Sequence, residues 1–320
     1  MPSPTRPSFG APSSNAGGPR YMMVRLDDGT SVVVADSGPT DQLVSVVAVP
    51  GLKGTDLGLQ QLCTDVNRHG LRIATINLPG NGVSASPQFC QWDLHQVAAL
   101  VEQVISKLPC REAIVLLGHS VGATVIMHVA SHGRTNVGAL VLLSPIVVSS
   151  RRRSGAFGAA SRWLSRLAVT ILEATPAIAD AAVRSNMVDA VSNGFLASQG
   201  IRGFLRIQTR SRPERAFAPD PRAVARYLVI AGSHGCIDDA DGIDAPTLLV
   251  AGDKDPFAAP DELRLLSSAL PQCQLVLAPG AGHLLHHEDP ELVGELIARY
   301  VARLQETLDG ESPTRALPGG

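Results

Sequence analysis

Residues 113–127 read Ala113-Ile114-Val115-Leu116-Leu117-Gly118-His119-Ser120-Val121-Gly122-Ala123-Thr124-Val125-Ile126-Met127. A five-residue apolar run enters a G-x-S-x-G turn, and a segment of helical character leaves it. A serine in such a strand-to-helix turn takes a strained backbone, and the flanking glycines leave room for strand and helix to approach. Its hydroxyl then stands at the carboxyl end of a sheet, beside the positive end of a helix. Ser120 is therefore the candidate nucleophile.

A serine hydroxyl attacks only when a base takes its proton, and that base needs a third group to fix its tautomer. The strand-like Thr247-Leu248-Leu249-Val250-Ala251 runs into Gly252-Asp253-Lys254-Asp255-Pro256-Phe257, which offers two carboxylates. The run Gln274 to Ala278 leads into Pro279-Gly280-Ala281-Gly282-His283, with His286 and His287 just beyond. The order Ser, Asp, His is the order a nucleophile-elbow sheet requires. Asp253 competes with Asp255 as a residue that caps or braces its loop. His286 and His287 are expected to be solvated at the start of a helix, and Gly282 lets His283 bend back toward the sheet edge. His119, inside the elbow, is read as structural, with its ring aimed away from the hydroxyl.

With these motifs in place, the chain resembles a capped α/β-hydrolase of the esterase, perhydrolase and carbon–carbon bond hydrolase branch, over about Val44 to Leu308 apart from one insertion. In that family the acid is usually the last residue of a Gly-x-x-Asp run. The histidine follows a glycine ahead of Glu-x-Pro, here Glu288-Asp289-Pro290. The resemblance thus implies a triad of Ser120, Asp255 and His283. It also implies an oxyanion hole made by the backbone amides of Leu52 and Val121. Two departures stand out. Pro50 replaces the family's histidine in Pro50-Gly51-Leu52-Lys53-Gly54, and Asn77-Leu78-Pro79-Gly80-Asn81-Gly82-Val83-Ser84 carries Asn twice in a loop of Asp-x-x-Gly-His-Gly-x-Ser type.

The rest of the chain fits that fold class. Tyr21 to Asp36 reads as a β-hairpin turning at Asp27-Asp28-Gly29. Short Val/Ile/Leu/Ala-rich runs at 43–49, 72–77, 113–117, 139–143, 247–251 and 274–278 have apolar residues at successive positions instead of every second one, as strands of a mostly parallel central sheet covered on both faces should. Between them lie helix candidates Thr55–His69, Leu94–Leu108, Val121–His132, Pro260–Ala269 and Pro290–Leu308. In the second, Leu94, Val97, Leu100, Val101, Val104 and Leu108 make one apolar stripe. The expected organisation is a disordered tail at 1–20, an α/β core at 21–147 and 242–308, a helical cap insertion at 148–241, and a flexible tail at 309–320.

Between 148 and 226 the insertion carries thirteen Arg against five acids. These suit either a solvated cationic face or a small-molecule substrate with a carboxylate or phosphate. In 155–172, Phe157, Trp163, Leu164, Leu167 and Ile171 recur at helical spacing, read as a core-facing stripe rather than a membrane-surface face.

Net charge is −2, the hydrophobic fraction 45% and the charged fraction 18%. No global basic balance supports nucleic-acid binding. No secretory leader and no transmembrane segment are legible, so a cytoplasmic location is expected. Five scattered cysteines, Cys63, Cys90, Cys110, Cys236 and Cys273, show no C-x-x-C spacing and read as free thiols. The sequence shows no phosphate loop, dinucleotide fingerprint or metal-ligand spacing, so neither cofactor nor metal is expected. Because the nucleophile is Ser and not Asp, acyl chemistry is favoured over dehalogenation or epoxide opening. The leading expectation is a serine hydrolase that cleaves a carboxylic ester, thioester or lactone. The alternatives are a C–C bond hydrolase or cofactor-free perhydrolase with the same triad, or a non-catalytic ligand receptor on the same fold.

Overall fold

The computed structural model describes residues 18–82, 84, 92–148, 200–211, 213 and 219–310, with positions 167 and 170 besides. An eight-stranded sheet forms its centre. Strands β1 (Arg20–Arg25) and β2 (Ser31–Ser37) make the expected hairpin, antiparallel with Met22 opposite Val34. Then come β3 (Val44–Val49), β4 (Arg72–Asn77), β5 (Cys110–His119), β6 (Val137–Leu143), β7 (Thr247–Gly252) and β8 (Cys273–Ala278). The spatial order is β1-β2-β4-β3-β5-β6-β7-β8, parallel from β4 to β8. The chain leaves β3 for β4 on one side and returns to β5 on the other. A crevice opens at such a reversal, outside the carboxyl ends of the strands, and ligands of open α/β sheets bind there.

The apolar runs are strands because both their faces are covered. Val47 and Val49 of β3 and Leu140 and Leu142 of β6 join one core cluster. Their neighbours Val46, Ala48, Val141 and Leu143 join a second across the sheet. Helices α2 (Leu94–Ser106) and α3 (Val121–His132) cover the first face, and α1 (Gln60–Arg68) packs on the second. The α2 stripe holds: Val97, Val101 and Val104 are fully buried, and Asp93 caps the helix by accepting from the Gln96 amide. The segment expected to be one helix from Thr55 divides into a 3₁₀ turn, Asp56–Leu59, and then α1.

Between β6 and β7 the described residues hold α4 (Gly200–Arg210) and α5 (Pro221–Ser233). The amphipathic stripe expected at 155–172 lies outside the described residues except for Leu167, which is exposed, and Thr170. Helix α5 is tied to the loop after β4: Asp220 N donates to Gly80 O at 2.8 Å and Tyr227 Oη to Pro79 O at 3.1 Å. The chain returns to the core beside its point of departure, with Cys236 N and Ile237 N donating to Ile146 O and Val147 O. After β7 come α6 (Pro260–Ala269), β8, the short α7 (Leu285–Glu288) and α8 (Pro290–Gly310). Arg20, assigned to the tail from sequence, is the first residue of β1, and α8 runs through to Gly310. Residues 1–17, 311–320 and Cys90 lie outside the described set. No helix among the described residues is long and apolar enough to cross a membrane.

Candidate active site

Ser120 sits between the end of β5 and the start of α3 with φ 53° and ψ −121°, a left-handed backbone that side chains rarely take. Its neighbours make the turn possible. A Cβ on Gly118 would fall 2.6 Å from the Ala123 backbone, and one on Gly122 would fall 2.2 Å from the Val49 carbonyl oxygen. Both contacts are closer than any side chain tolerates, so the tight strand–helix approach needs glycine at both positions.

His283 reaches Ser120 from the loop after β8. Its Nε2 is 2.9 Å from Ser120 Oγ and its Nδ1 is 2.9 Å from Asp255 Oδ2. All three residues are buried. The second Asp255 oxygen accepts from the Phe257 amide at 2.8 Å, which fixes the carboxylate, and the Phe257 ring lies edge-on to His283 with centroids 4.9 Å apart. Asp253 does something else: its Oδ1 accepts from the Gly280 amide at 2.7 Å and so ties the β7 loop to the β8 loop. Lys254 N to Ala281 O, 3.0 Å, adds a second tie.

The other histidines are not solvated. His286 and His287 are only 8% and 5% exposed, contrary to the expectation for the start of a surface helix. The reason is α7, which turns inward: the His286 ring packs edge-on against His119 with centroids 4.2 Å apart. His119 points away from the Ser120 hydroxyl, with its Nε2 at 3.3 Å from the His283 carbonyl oxygen. Burial, and then the neighbouring imidazoles, hold His119 and His286 well below the usual histidine range, so both rings are neutral. Glu288, fully buried, accepts from the Gly282 amide at 3.0 Å and braces the loop that carries His283.

Gly51 backs directly onto the elbow, since a Cβ there would lie 2.7 Å from His119 Nδ1 and 3.1 Å from Ser120 Cβ. Leu52 follows it, and Val121 opens α3, where the first amides of a helix have no intrahelical acceptor. Among the described residues neither the Leu52 nor the Val121 amide is committed to a backbone acceptor. Pro50 offers no side-chain donor, and the loop is instead reached by Asn81, whose Nδ2 stands 3.5 Å from Gly51 O. The other departure is complementary to its surroundings. Asn77 exchanges two hydrogen bonds of 2.8 Å with Asp56, whose second oxygen accepts from Tyr21 Oη at 2.8 Å. An aspartate at 77 would face a carboxylate there.

The insertion touches this site at two places. Val224 and Ala225 of α5 pack with Leu52, and α4 reaches α7, where Arg206 and Arg210 donate to the Glu288 and His287 carbonyls at 3.1 Å. Arg222 pairs with Asp220 at 2.9 Å. These three arginines of the cationic insertion thus have protein partners. A second cluster, His128, His234 and Asp239, is assembled by the fold some distance away. Sequence reading missed it, although His128 and His132, four apart on α3, share one helix face.

A buried serine hydroxyl, an imidazole and a carboxylate in hydrogen-bonded series can shuttle a proton, and two uncommitted amides beside them can hold an oxyanion. Comparisons with known proteins show the family to which the chain belongs. A family model described as serine aminopeptidase, S33, matches residues 41–290. The chain is 24% identical over 267 residues to the sn-1-specific diacylglycerol lipase ABHD11 of Mus musculus, covering 81% of each chain. It is 26% identical over 251 residues to the AB hydrolase superfamily protein YisY of Bacillus subtilis, covering 74% of this chain and 83% of the relative. Among solved structures, an esterase from Exiguobacterium antarcticum superposes with a TM-score of 0.72 at 17% identity, covering 87% of this chain and 98% of that one.

Proposed function

The chain belongs to the serine aminopeptidase, S33, family of α/β-hydrolases, and from that premise we propose that it is a serine hydrolase that cleaves a carboxylic ester, thioester or lactone through an acyl-enzyme on Ser120. The observation that carries the reading is the pair of 2.9 Å contacts of His283, one to Ser120 Oγ and one to Asp255 Oδ2.

In this mechanism His283 Nε2 takes the Ser120 proton as Oγ attacks the acyl carbonyl carbon. Asp255 accepts from Nδ1–H, so the imidazole presents its basic nitrogen to the serine, and the carboxylate stabilises the imidazolium that forms. The tetrahedral oxyanion is held by the Leu52 and Val121 amides. Collapse breaks the bond to the leaving alkoxide or thiolate, which receives the proton from His283. Water then enters, gives its proton to the same nitrogen, attacks the ester on Ser120, and releases the acid.

The insertion serves as the cap over the substrate, with α5 packed on Leu52. Arg206 and Arg210 tie the cap to the core and Arg222 pairs with Asp220 within it, so these three give no support to an anionic substrate. The activities of similar proteins, a diacylglycerol lipase and an esterase, support an acyl ester as substrate class.

A panel of p-nitrophenyl esters, thioesters and lactones tests the proposal. Turnover of at least one class that disappears in Ser120→Ala is expected. Saturable binding of such esters without turnover, indifferent to Ser120→Ala, would instead mark a ligand receptor.

A further inference from the structure

Helix α3 carries Ser120 at its start and a different constellation at its other end. His128 Nδ1 is 3.2 Å from Asp239 Oδ1, His132 Nδ1 is 3.5 Å from the same oxygen, and His234 Nε2 is 2.8 Å from Asp239 Oδ2. The ligand-capable atoms of His128, His234 and Asp239 all lie within 4.8 Å of one another. The His128 and His132 rings stack with centroids 4.4 Å apart, and His234 meets His128 edge-on at 5.7 Å. We propose that His128, His234 and Asp239 form a binding site for a divalent transition metal, Zn²⁺ above all.

The donor set points to that ion. Imidazoles with one carboxylate suit Zn²⁺, whereas Mg²⁺ and Ca²⁺ take oxygen ligands. With bonds of about 2.0–2.1 Å, a tetrahedral zinc site spaces its ligand atoms by about 3.3 Å. His128 Nδ1 stands 3.2 Å from Asp239 Oδ1 and His234 Nε2 stands 2.8 Å from Asp239 Oδ2, both close to that value. The Asp239 side chain is 1% exposed, which keeps water from competing for it, while His132 is half exposed and gives the ion a way in.

This site is separate from the triad, since eight helical residues between Ser120 and His128 span about 12 Å. Its ligands come from two sources: His128 from α3, and His234 and Asp239 from the segment where the chain returns from the insertion to β7. A metal ion would therefore staple the returning end of the insertion to the helix that carries the nucleophile. Because it needs no step of the hydrolytic mechanism, it stands or falls separately from that reading.

The test uses the full-length protein, stripped with EDTA, dialysed, and titrated with Zn²⁺ by calorimetry, with Ser120→Ala run in parallel. One Zn²⁺ per chain is expected in both proteins, with a rise in Tm of about 5 °C at saturating metal. His128→Gln and His234→Gln should each lower Zn²⁺ affinity at least 100-fold. Asp239→Asn could unfold the segment, so Co²⁺ binding to the unaltered chain supplies a second readout: the visible absorption of tetrahedral Co²⁺ is expected. Absence of stoichiometric Zn²⁺ binding, octahedral Co²⁺ spectra, or unchanged affinity in His128→Gln and His234→Gln would each overturn the proposal.

Discussion

Asp255 and His283, from loops after neighbouring strands, meet at 2.9 Å, while Asp253, only two residues before Asp255, spends its carboxylate on the Gly280 amide. The two acids of one loop therefore have different tasks. Asp255→Asn is expected to lower kcat on the order of 10⁴-fold, because the amide no longer fixes the histidine tautomer. Asp253→Asn should retain most of kcat and lower Tm by a few degrees, through loss of one brace between loops. Steady-state kinetics and thermal melts of the two variants make the comparison. Loss of turnover confined to Asp253→Asn would reverse the assignment.

The Gly122–Val49 approach makes a stability prediction. A Cβ at 122 would lie 2.2 Å from a backbone oxygen that cannot swing away, so Gly122→Ala must push α3 off β3. Overpacking of this kind costs about 1–3 kcal/mol, and displacing α3 also moves Ser120. A lower denaturation midpoint together with lost activity is expected. A stable, fully active Gly122→Ala protein would mean that strand and helix are not held this close.

At position 77 the family's aspartate should be worse than the asparagine present. Asn77→Asp would place two carboxylates where Asn77 and Asp56 now exchange 2.8 Å hydrogen bonds. A penalty of about 1–3 kcal/mol at pH 7 is expected. The like-charge pair raises one carboxyl pKa in the folded state above its unfolded value of about 4. The deficit should therefore shrink as pH falls toward 5 and widen as it rises. Urea denaturation at both pH values measures it, and an equal deficit at each would refute the charge argument.

A second electrostatic effect concerns Asp36 on β2. Burial pushes its carboxyl up, but hydrogen bonds and charge from Arg72, at 2.8 Å on both oxygens, and from Arg20 hold it below the usual carboxylate range. A folded pKa below the unfolded value of about 3.9 gives stability that is fully present above about pH 4 and is lost as pH falls through the folded pKa. Asp36→Asn leaves Arg72 buried without its counter-charge and should cost about 3 kcal/mol at pH 7. The two proteins should converge in stability as pH falls through the folded pKa. Parallel stability curves across that range would contradict the assignment.

What could be read from sequence follows from how local each cause is. The 72–77 run and the Val121–His132 helix are written in their own residues, one as a short Ile/Ala-rich run and the other as a turn motif with a helix behind it, and the structure gives them the same limits. The division of labour between Asp253 and Asp255 is not local, since it depends on which amide of the neighbouring loop each carboxylate meets. The burial of His286 and His287 was invisible for the same reason: a four-residue helix looks like surface until it is seen packed on His119. The charge of the insertion was plain, but the partners of Arg206 and Arg210 lie roughly eighty residues further along. The His128–Asp239 contact, 111 residues apart in the chain, had no local signature beyond the His128–His132 spacing.

The central claim is that Ser120 is the nucleophile that His283 activates. Incubating the protein with a fluorophosphonate, measuring intact mass and mapping the labelled peptide tests it most directly. The account predicts a single covalent adduct on Ser120, abolished in Ser120→Ala and slowed by on the order of 10³-fold or more in His283→Ala. No adduct on the folded protein, or one on another residue that persists in Ser120→Ala, would contradict it.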